Sequence, residues 1–244
     1  NIAFGLGRSV HIETGLTAEY RIAKRWSLLA GFTATHFSNG GTQRPNHGLN
    51  QIAPIVYAKF DTDTPLTPPP YRHVPFEDKA WRLNVAFSAG KRNLDLRLET
   101  PDEREEWLNR SYFIGNLTVG AGRKFSNKFA YAFGLDLCYD ETVGDLIKLD
   151  GYNRGVNAEG STGDNFELAA YGGVEANVNR TWFLVHFGYK IFTKDVPGRL
   201  PEFYQRLGVK HFVFENWFAG LNVRFHEIGS ADNLEWNVGY SLKL

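Results

Sequence analysis

Apolar residues recur at every second position through most of this chain. In the final stretch, NLEWNVGYSLKL, Leu234, Trp236, Val238, Tyr240, Leu242 and Leu244 share one parity. Glu235, Asn237, Gly239, Ser241 and Lys243 share the other. A strand turns successive side chains to opposite faces, so the segment predicts a strand with one greasy face and one polar or small face. Trp217, Ala219, Leu221, Val223 and Phe225 oppose Gly220, Asn222, Arg224 and His226 in the same way. Phe129, Tyr131, Phe133, Leu135, Leu137 and Tyr139 oppose Ala130, Ala132, Gly134, Asp136, Cys138 and Asp140. Near the start, Val10, Ile12, Leu16, Ala18, Tyr20 and Ile22 oppose His11, Glu13, Thr17, Glu19 and Arg21. The pattern predicts strands over 10–24, 26–40, 51–62, 81–92, 110–125, 128–145, 165–179, 181–193, 203–213, 216–227 and 231–244. NIAFGLG at the start adds another, giving about twelve, an even count as closed bacterial barrels require.

A soluble sandwich also has strands with one apolar face. Three features favour a barrel whose apolar face meets lipid. The strands run to about 10–14 residues, long enough to cross a membrane at a tilt. Aromatics stand near the ends of the apolar faces, at Trp26, Trp81, Tyr112, Trp217 and Trp236, as interfacial girdles do. Connections alternate between short ones (AKRW, FSNK, NRTW, FENW) and longer ones near 41–50, 94–109, 146–163, 194–202 and 228–232. Outer-membrane barrels place short turns on the periplasmic side and longer loops outside. The expectation is therefore an all-β chain, one antiparallel transmembrane barrel over 1–244, in a bacterial outer membrane. A proline-rich connection at 61–78, DTDTPLTPPPYRHVPFED, falls on the short-turn side. Its prolines impose an extended path, read either as a tolerated loop or as a periplasmic docking segment for another protein.

Composition agrees. The 244 residues hold 15% aromatics and 25 Gly, a mix that favours strands and turns over helices. No window approaches a transmembrane helix. The formal net charge of zero gives no reason to expect nucleic acid as a partner. The single Cys138 forms no internal disulfide and reads as a small packed residue. The chain has no Met, even at position 1, as expected of a processed or trimmed start.

The candidate chemistry lies at the end of the second strand, in THFSNGGTQRPNHGLN. His36 and Ser38 are two apart on a strand, hence on one face. They continue the apolar set Trp26, Leu28, Ala30, Phe32 and Ala34. Asn50 shares the parity of Ile52, Val56, Ala58 and Phe60 on the returning strand. Three polar groups on a lipid-facing wall must satisfy one another. Histidine can take the serine proton and activate the hydroxyl for attack on an acyl ester, while Asn50 fixes the imidazole tautomer. The intervening turn-forming residues can present backbone N–H groups as an oxyanion hole. A mutually hydrogen-bonded turn without catalysis accounts for the same residues.

HFSNGGTQRPNHGLN resembles the signature of the lipid A 3-O-deacylase, or acyloxyacyl hydrolase-like, family of outer-membrane barrels. The resemblance implies a lipid-facing triad with Ser38 as nucleophile and His36 as base, and an oxyanion hole around Gly41 and Asn46. At the position of that family's acidic member stands Asn50. Outer-membrane phospholipase A is similar in carrying His-x-Ser-Asn-Gly with an asparagine at this offset, and its Ser-His-Asn triad is active. That second likeness implies calcium dependence and activity as a homodimer, yet no clear match to its calcium loop is present. The expected partner is a membrane lipid, either lipid A or a phospholipid. The competing expectation is an inactive barrel of the same ancestry, serving as a subunit in an outer-membrane assembly.

Elsewhere, Glu167, Glu175, Lys190 and Arg224 fall on inward faces and read as ion pairs filling the barrel. His11, His186 and His226 read as inward too, without metal-ligand spacing. Polar inward faces also permit a small channel, although barrels of this size are usually filled by their own side chains.

Overall fold

The computed structural model describes residues 10–38, 49–62, 75–76, 78–96, 107–227 and 230–244. The described residues form β1 (Val10–Ala23), β2 (Trp26–Ser38), β3 (Leu49–Phe60), β4 (Trp81–Leu96), β5 (Trp107–Lys124) and β6 (Phe129–Asp140). Helix α1 (Thr142–Asn153) and a 3-10 turn (Thr162–Asn165) follow. Then come β7 (Phe166–Val178), β8 (Thr181–Phe192), β9 (Phe203–Phe212), β10 (Trp217–Glu227) and β11 (Ser230–Lys243). Every pairing is antiparallel between chain neighbours except the closure.

That closure corrects the expected strand number. β11 pairs directly with β4, from Leu234 opposite Lys91 to Lys243 opposite Arg82, so β4–β11 close as a barrel of eight strands rather than about twelve. β1, β2 and β3 form a separate three-stranded sheet. Alternation assigns each strand its faces, but it carries no information on which two strands meet across the seam. The stretch NIAFGLG, counted as a further strand, lies outside the described residues, as do 63–74 and 77 of the proline-rich connection.

The barrel has an inverted core. Phe87, Phe133, Leu135, Val185, Phe187 and Trp236 are exposed on its outer wall, whereas Asp136, Arg206, Glu235 and Asn233 are buried inside. Apolar surface turned outward around a closed ring is stable only against hydrocarbon, and closure leaves no unpaired strand edge in that ring. Buried charges are tolerated because they are paired. Lys190 Nζ lies 3.3 Å from Glu167 and Lys210 Nζ 2.7 Å from Glu175. Arg224 lies 3.0 Å from Glu235, and Arg206 lies 2.5 Å from Asp136. Near the end opposite the tight turns, Arg92 bridges Asp140 and Asp232, each at 2.5 Å. The inward positions of Glu167, Glu175, Lys190 and Arg224 thus match expectation. The lumen is filled by these side chains. The cavity bounded by His186, Arg206, Glu175 and Asn222 measures only about 40 Å³.

Four smaller expectations change. Residues 142–153 are helical rather than strand end and loop. Val143 and Leu146 share a helical face, and Leu146 packs on Tyr112 and Val196 over the barrel mouth. Tyr112 is therefore no girdle residue: it is buried, and its hydroxyl donates to Asp145 at 2.9 Å. The connection expected over 228–232 shrinks to 228–229 between β10 and β11. His11 faces no lumen, because β1 is outside the barrel; it is exposed and stacks on Phe37 at 4.4 Å. Cys138 is free and buried, as a small packed residue should be.

Candidate functional site

The separate sheet carries the His-Ser-Asn motif. β2 pairs with β1 along its whole length, Val10 opposite Ser38 and Ala18 opposite Ala30. On its other side β2 pairs with β3, Trp26 opposite Phe60 and Ala34 opposite Ile52. The two faces of this sheet differ in the same sense as the barrel wall. Trp26, Leu28 and Phe32 on β2, with Ile52 and Val56 on β3, make an exposed apolar face. On the opposite face, Ser27 and Thr33 are buried, and Thr33 Oγ1 donates to Glu13 at 2.8 Å.

His36 belongs to the apolar parity. Its register partner on β3 is Asn50, so the two residues expected to form the His–Asn pair stand directly opposite each other. Ser38 is two residues further along β2, at its last position. The structure thus brings all three positions to one end of one pair of strands. Gly41 and Asn46, expected at the oxyanion hole, lie outside the described residues. His36 is half-buried. Its ring meets Phe225 of β10 edge-on, with centroids 6.4 Å apart and planes at 75°. This contact with the barrel was not expected from sequence. Position 225 is far along the chain, and nothing in the alternation of β10 distinguishes it from other lipid-facing residues.

Among the described residues, no group of three or more His, Cys, Asp or Glu side chains is placed to hold a metal ion. Beyond the membrane-spanning strands, Asp164 shows the clearest perturbation. The backbone N–H and hydroxyl of Ser161 donate to it at 2.9 and 2.8 Å, and Lys194 lies 3.1 Å away. Donation from Ser161 comes first and the lysine second in holding its carboxyl down to about 2.

A closed, outwardly apolar ring of strands with a salt-bridged interior defines a membrane-spanning β-barrel of the outer-membrane type. The family model of the acyloxyacyl hydrolase C-terminal domain matches residues 81–244, and that of lipid A 3-O-deacylase matches residues 3–59. The chain belongs to the acyloxyacyl hydrolase family of outer-membrane barrels. The two matches divide the chain where the fold does, the first covering β4–β11 and the second β1, β2 and β3 as far as residue 59. No curated protein matches the chain in sequence.

Solved structures give only distant likenesses. A de novo designed transmembrane β-barrel is 10% identical over 69% of this chain and 100% of that one, with a TM-score of 0.37. The CymD monoaromatic hydrocarbon channel is 13% identical over 97% of this chain and 74% of that one, with a TM-score of 0.28. The Ralstonia pickettii toluene transporter TbuX is 12% identical over 97% and 68%, with a TM-score of 0.25. At these scores the likenesses carry no functional argument.

Proposed function

We propose that this chain is an acyl-ester hydrolase of the outer membrane, acting on lipid A, or on a phospholipid, at the outer leaflet. The observation that carries the reading is the register of β2 and β3, which pairs His36 with Asn50 and leaves Ser38 two residues beyond. The lipid A 3-O-deacylase model covers His36, Ser38 and Asn50, which supports lipid A as the substrate class.

In this mechanism the Ser38 hydroxyl attacks the ester carbonyl carbon while His36 accepts its proton. Backbone N–H groups around Gly41 and Asn46 hold the oxyanion. The intermediate collapses, the carbon–oxygen bond to the lipid alcohol breaks, and His36 returns the proton to the leaving oxygen. Water, deprotonated by His36, then releases the acyl group as a fatty acid and restores Ser38. Asn50 accepts the second imidazole N–H and fixes its tautomer. As an amide it adds no negative charge to steady the imidazolium, so it orients without supplying the electrostatic help of a carboxylate. None of these steps calls for a cofactor. The substrate arrives sideways from the membrane, which is why the motif ends an apolar strand face.

The test is fatty-acid release from lipid A and from phospholipid by the purified chain in detergent, with and without calcium, read by mass spectrometry. Ser38→Ala should reduce release by about three orders of magnitude or more while the barrel stays folded. Equal release by parent and variant would exclude this mechanism. No release by folded parent protein would favour the accessory-subunit reading, to which the asparagine at position 50 lends its one specific support.

A further inference from the structure

The tight turns at 125–128, 179–180 and 213–216 gather at one end of the ring, the periplasmic end of an outer-membrane barrel. There the lumen opens into a vestibule of about 450 Å³, bounded by Arg82, Lys124, Arg180, Trp182, Phe212 and Phe214 among others. Its inner wall is apolar. Trp182 and Phe212 are buried with ring centroids 6.2 Å apart, and Ala86, Ala130 and Phe218 cluster with them. Its rim is cationic. Arg82 continues the inward parity of the buried Ala86 and Ser88, Lys124 that of Asn116, and Lys243 that of Ser241. These side chains therefore stand over the lumen and not against lipid. Lys124 Nζ lies 5.3 Å from the centre of the Trp182 ring.

One carboxylate serves three of these cations. Asp78 lies 3.1 Å from Lys243, 3.2 Å from Arg82 and 3.9 Å from Lys124. Arg180 adds a fourth cation, on the β7–β8 turn, and Glu215 is the other acid at the vestibule among the described residues. Four cations thus meet two carboxylates. The opposite mouth has the reverse balance at Arg92, which is held between two aspartates. Asp78 does not belong to a barrel strand. It arrives on irregular chain ahead of β4, just after Pro75 and Phe76 in sequence. The rim therefore already accepts a carboxylate carried on a connecting segment.

We propose that this vestibule is a binding site for an acidic peptide segment of a periplasmic protein. Carboxylates of the segment meet Arg180, Lys124 and Arg82, and an apolar side chain between them packs on Trp182 and Phe212. Excess positive charge at a concave mouth draws an anion in, and burial of an apolar group on the aromatic wall adds to the attraction. A simple phosphate would satisfy the rim and leave that wall uncovered. A lipid phosphate would approach from outside the ring, where the inward parity of Arg82 and Lys124 does not present them. The proposal is independent of the hydrolase reading.

The experiment uses the full chain in nonionic micelles at low salt and reads fluorescence anisotropy. The probe is a fluorescein-labelled pentapeptide of four acidic residues around a central phenylalanine. It should bind, about tenfold more tightly than the same peptide with serine at its centre. Arg180→Glu and Lys124→Ala should each weaken it about tenfold, whereas Arg154→Glu, at the other mouth, should match the parent. Raising the salt to physiological strength should weaken binding severalfold. Heat-modifiable gel mobility checks that each variant is folded; Arg180, exposed on a turn, serves as the variant least tied to the ring. No binding by folded parent protein, or binding unchanged in Arg180→Glu and Lys124→Ala, would overturn the proposal. Equal affinity for the phenylalanine and serine peptides would reduce the vestibule to a general anion site and overturn it too. Displacement of the probe by inorganic phosphate, or by monomeric dihexanoyl phosphatidylglycerol, at concentrations equal to the peptide's would assign the rim to phosphate instead.

Discussion

Asp136 shows what a single residue does in a barrel of this kind. Its carboxylate accepts hydrogen bonds from Thr118 at 2.6 Å, from Arg206 at 2.5 Å and from the Tyr204 hydroxyl, tying β5 and β6 to β9 across the lumen. All these groups belong to the interior and only pairing makes their burial affordable. Asp136→Ala leaves Arg206 with Glu235 at 3.9 Å as its remaining carboxylate. The expected cost is about 3–5 kcal/mol of stability, measured by denaturant titration in micelles. Lys243→Ala removes an exposed partner of Asp78 at 3.1 Å and should cost about 1 kcal/mol or less. At the site, the parity of His36, Ser38 and Asn50 was legible in the sequence. Their one-to-one register was not, because the turn between β2 and β3 can add or remove a residue and shift the pairing.

Elements differ in how their ends are fixed. The tight β7–β8 turn uses Asn179 at φ 55°, a left-handed conformation that asparagine adopts more readily than most residues. β7 begins instead from a 3-10 turn locked by Ser161 and Asp164 in a reciprocal capping box. The folded-state pKa of Asp164, about 2, lies below the usual aspartate value of about 3.9. A depressed carboxylate contributes stability above its unfolded pKa and loses it as pH falls through the folded one. Protection of residues 154–165 from protease should therefore hold down to about pH 4 and decline between about pH 4 and 2. Asp164→Asn should show the acid-state sensitivity already at neutral pH. Helix α1 was not legible. Its first residues continue a clear strand alternation, and its apolar face is selected by Tyr112, Leu94 and Val196, which arrive from three other places in the chain.

At the scale of the molecule, one open sheet and one closed ring follow each other in the chain, and the two family models fall on either side of the connection between them. The ring satisfies its own backbone groups, so a fragment of residues 81–244 should fold alone in micelles, giving heat-modifiable mobility and β-sheet circular dichroism. It should release no fatty acid, since the motif lies on β2. Failure of that fragment to fold would show that β1–β3 are needed to hold the barrel. The packed lumen carries a companion expectation at this scale: the purified chain should give no stable conductance steps in planar bilayers.

The sequence alone determined the alternation, and with it the strands, their two faces, the placement of charge inside and apolar surface outside, and the parity shared by His36, Ser38 and Asn50. Each follows from a period of two that is written locally in the chain. Only the tertiary structure decided that β11 closes on β4, that β1–β3 stay apart, that residues 142–153 coil over the mouth, and that Phe225 meets His36. Those are choices of partner between distant segments, made by backbone pairing and apolar packing, and no local pattern encodes them.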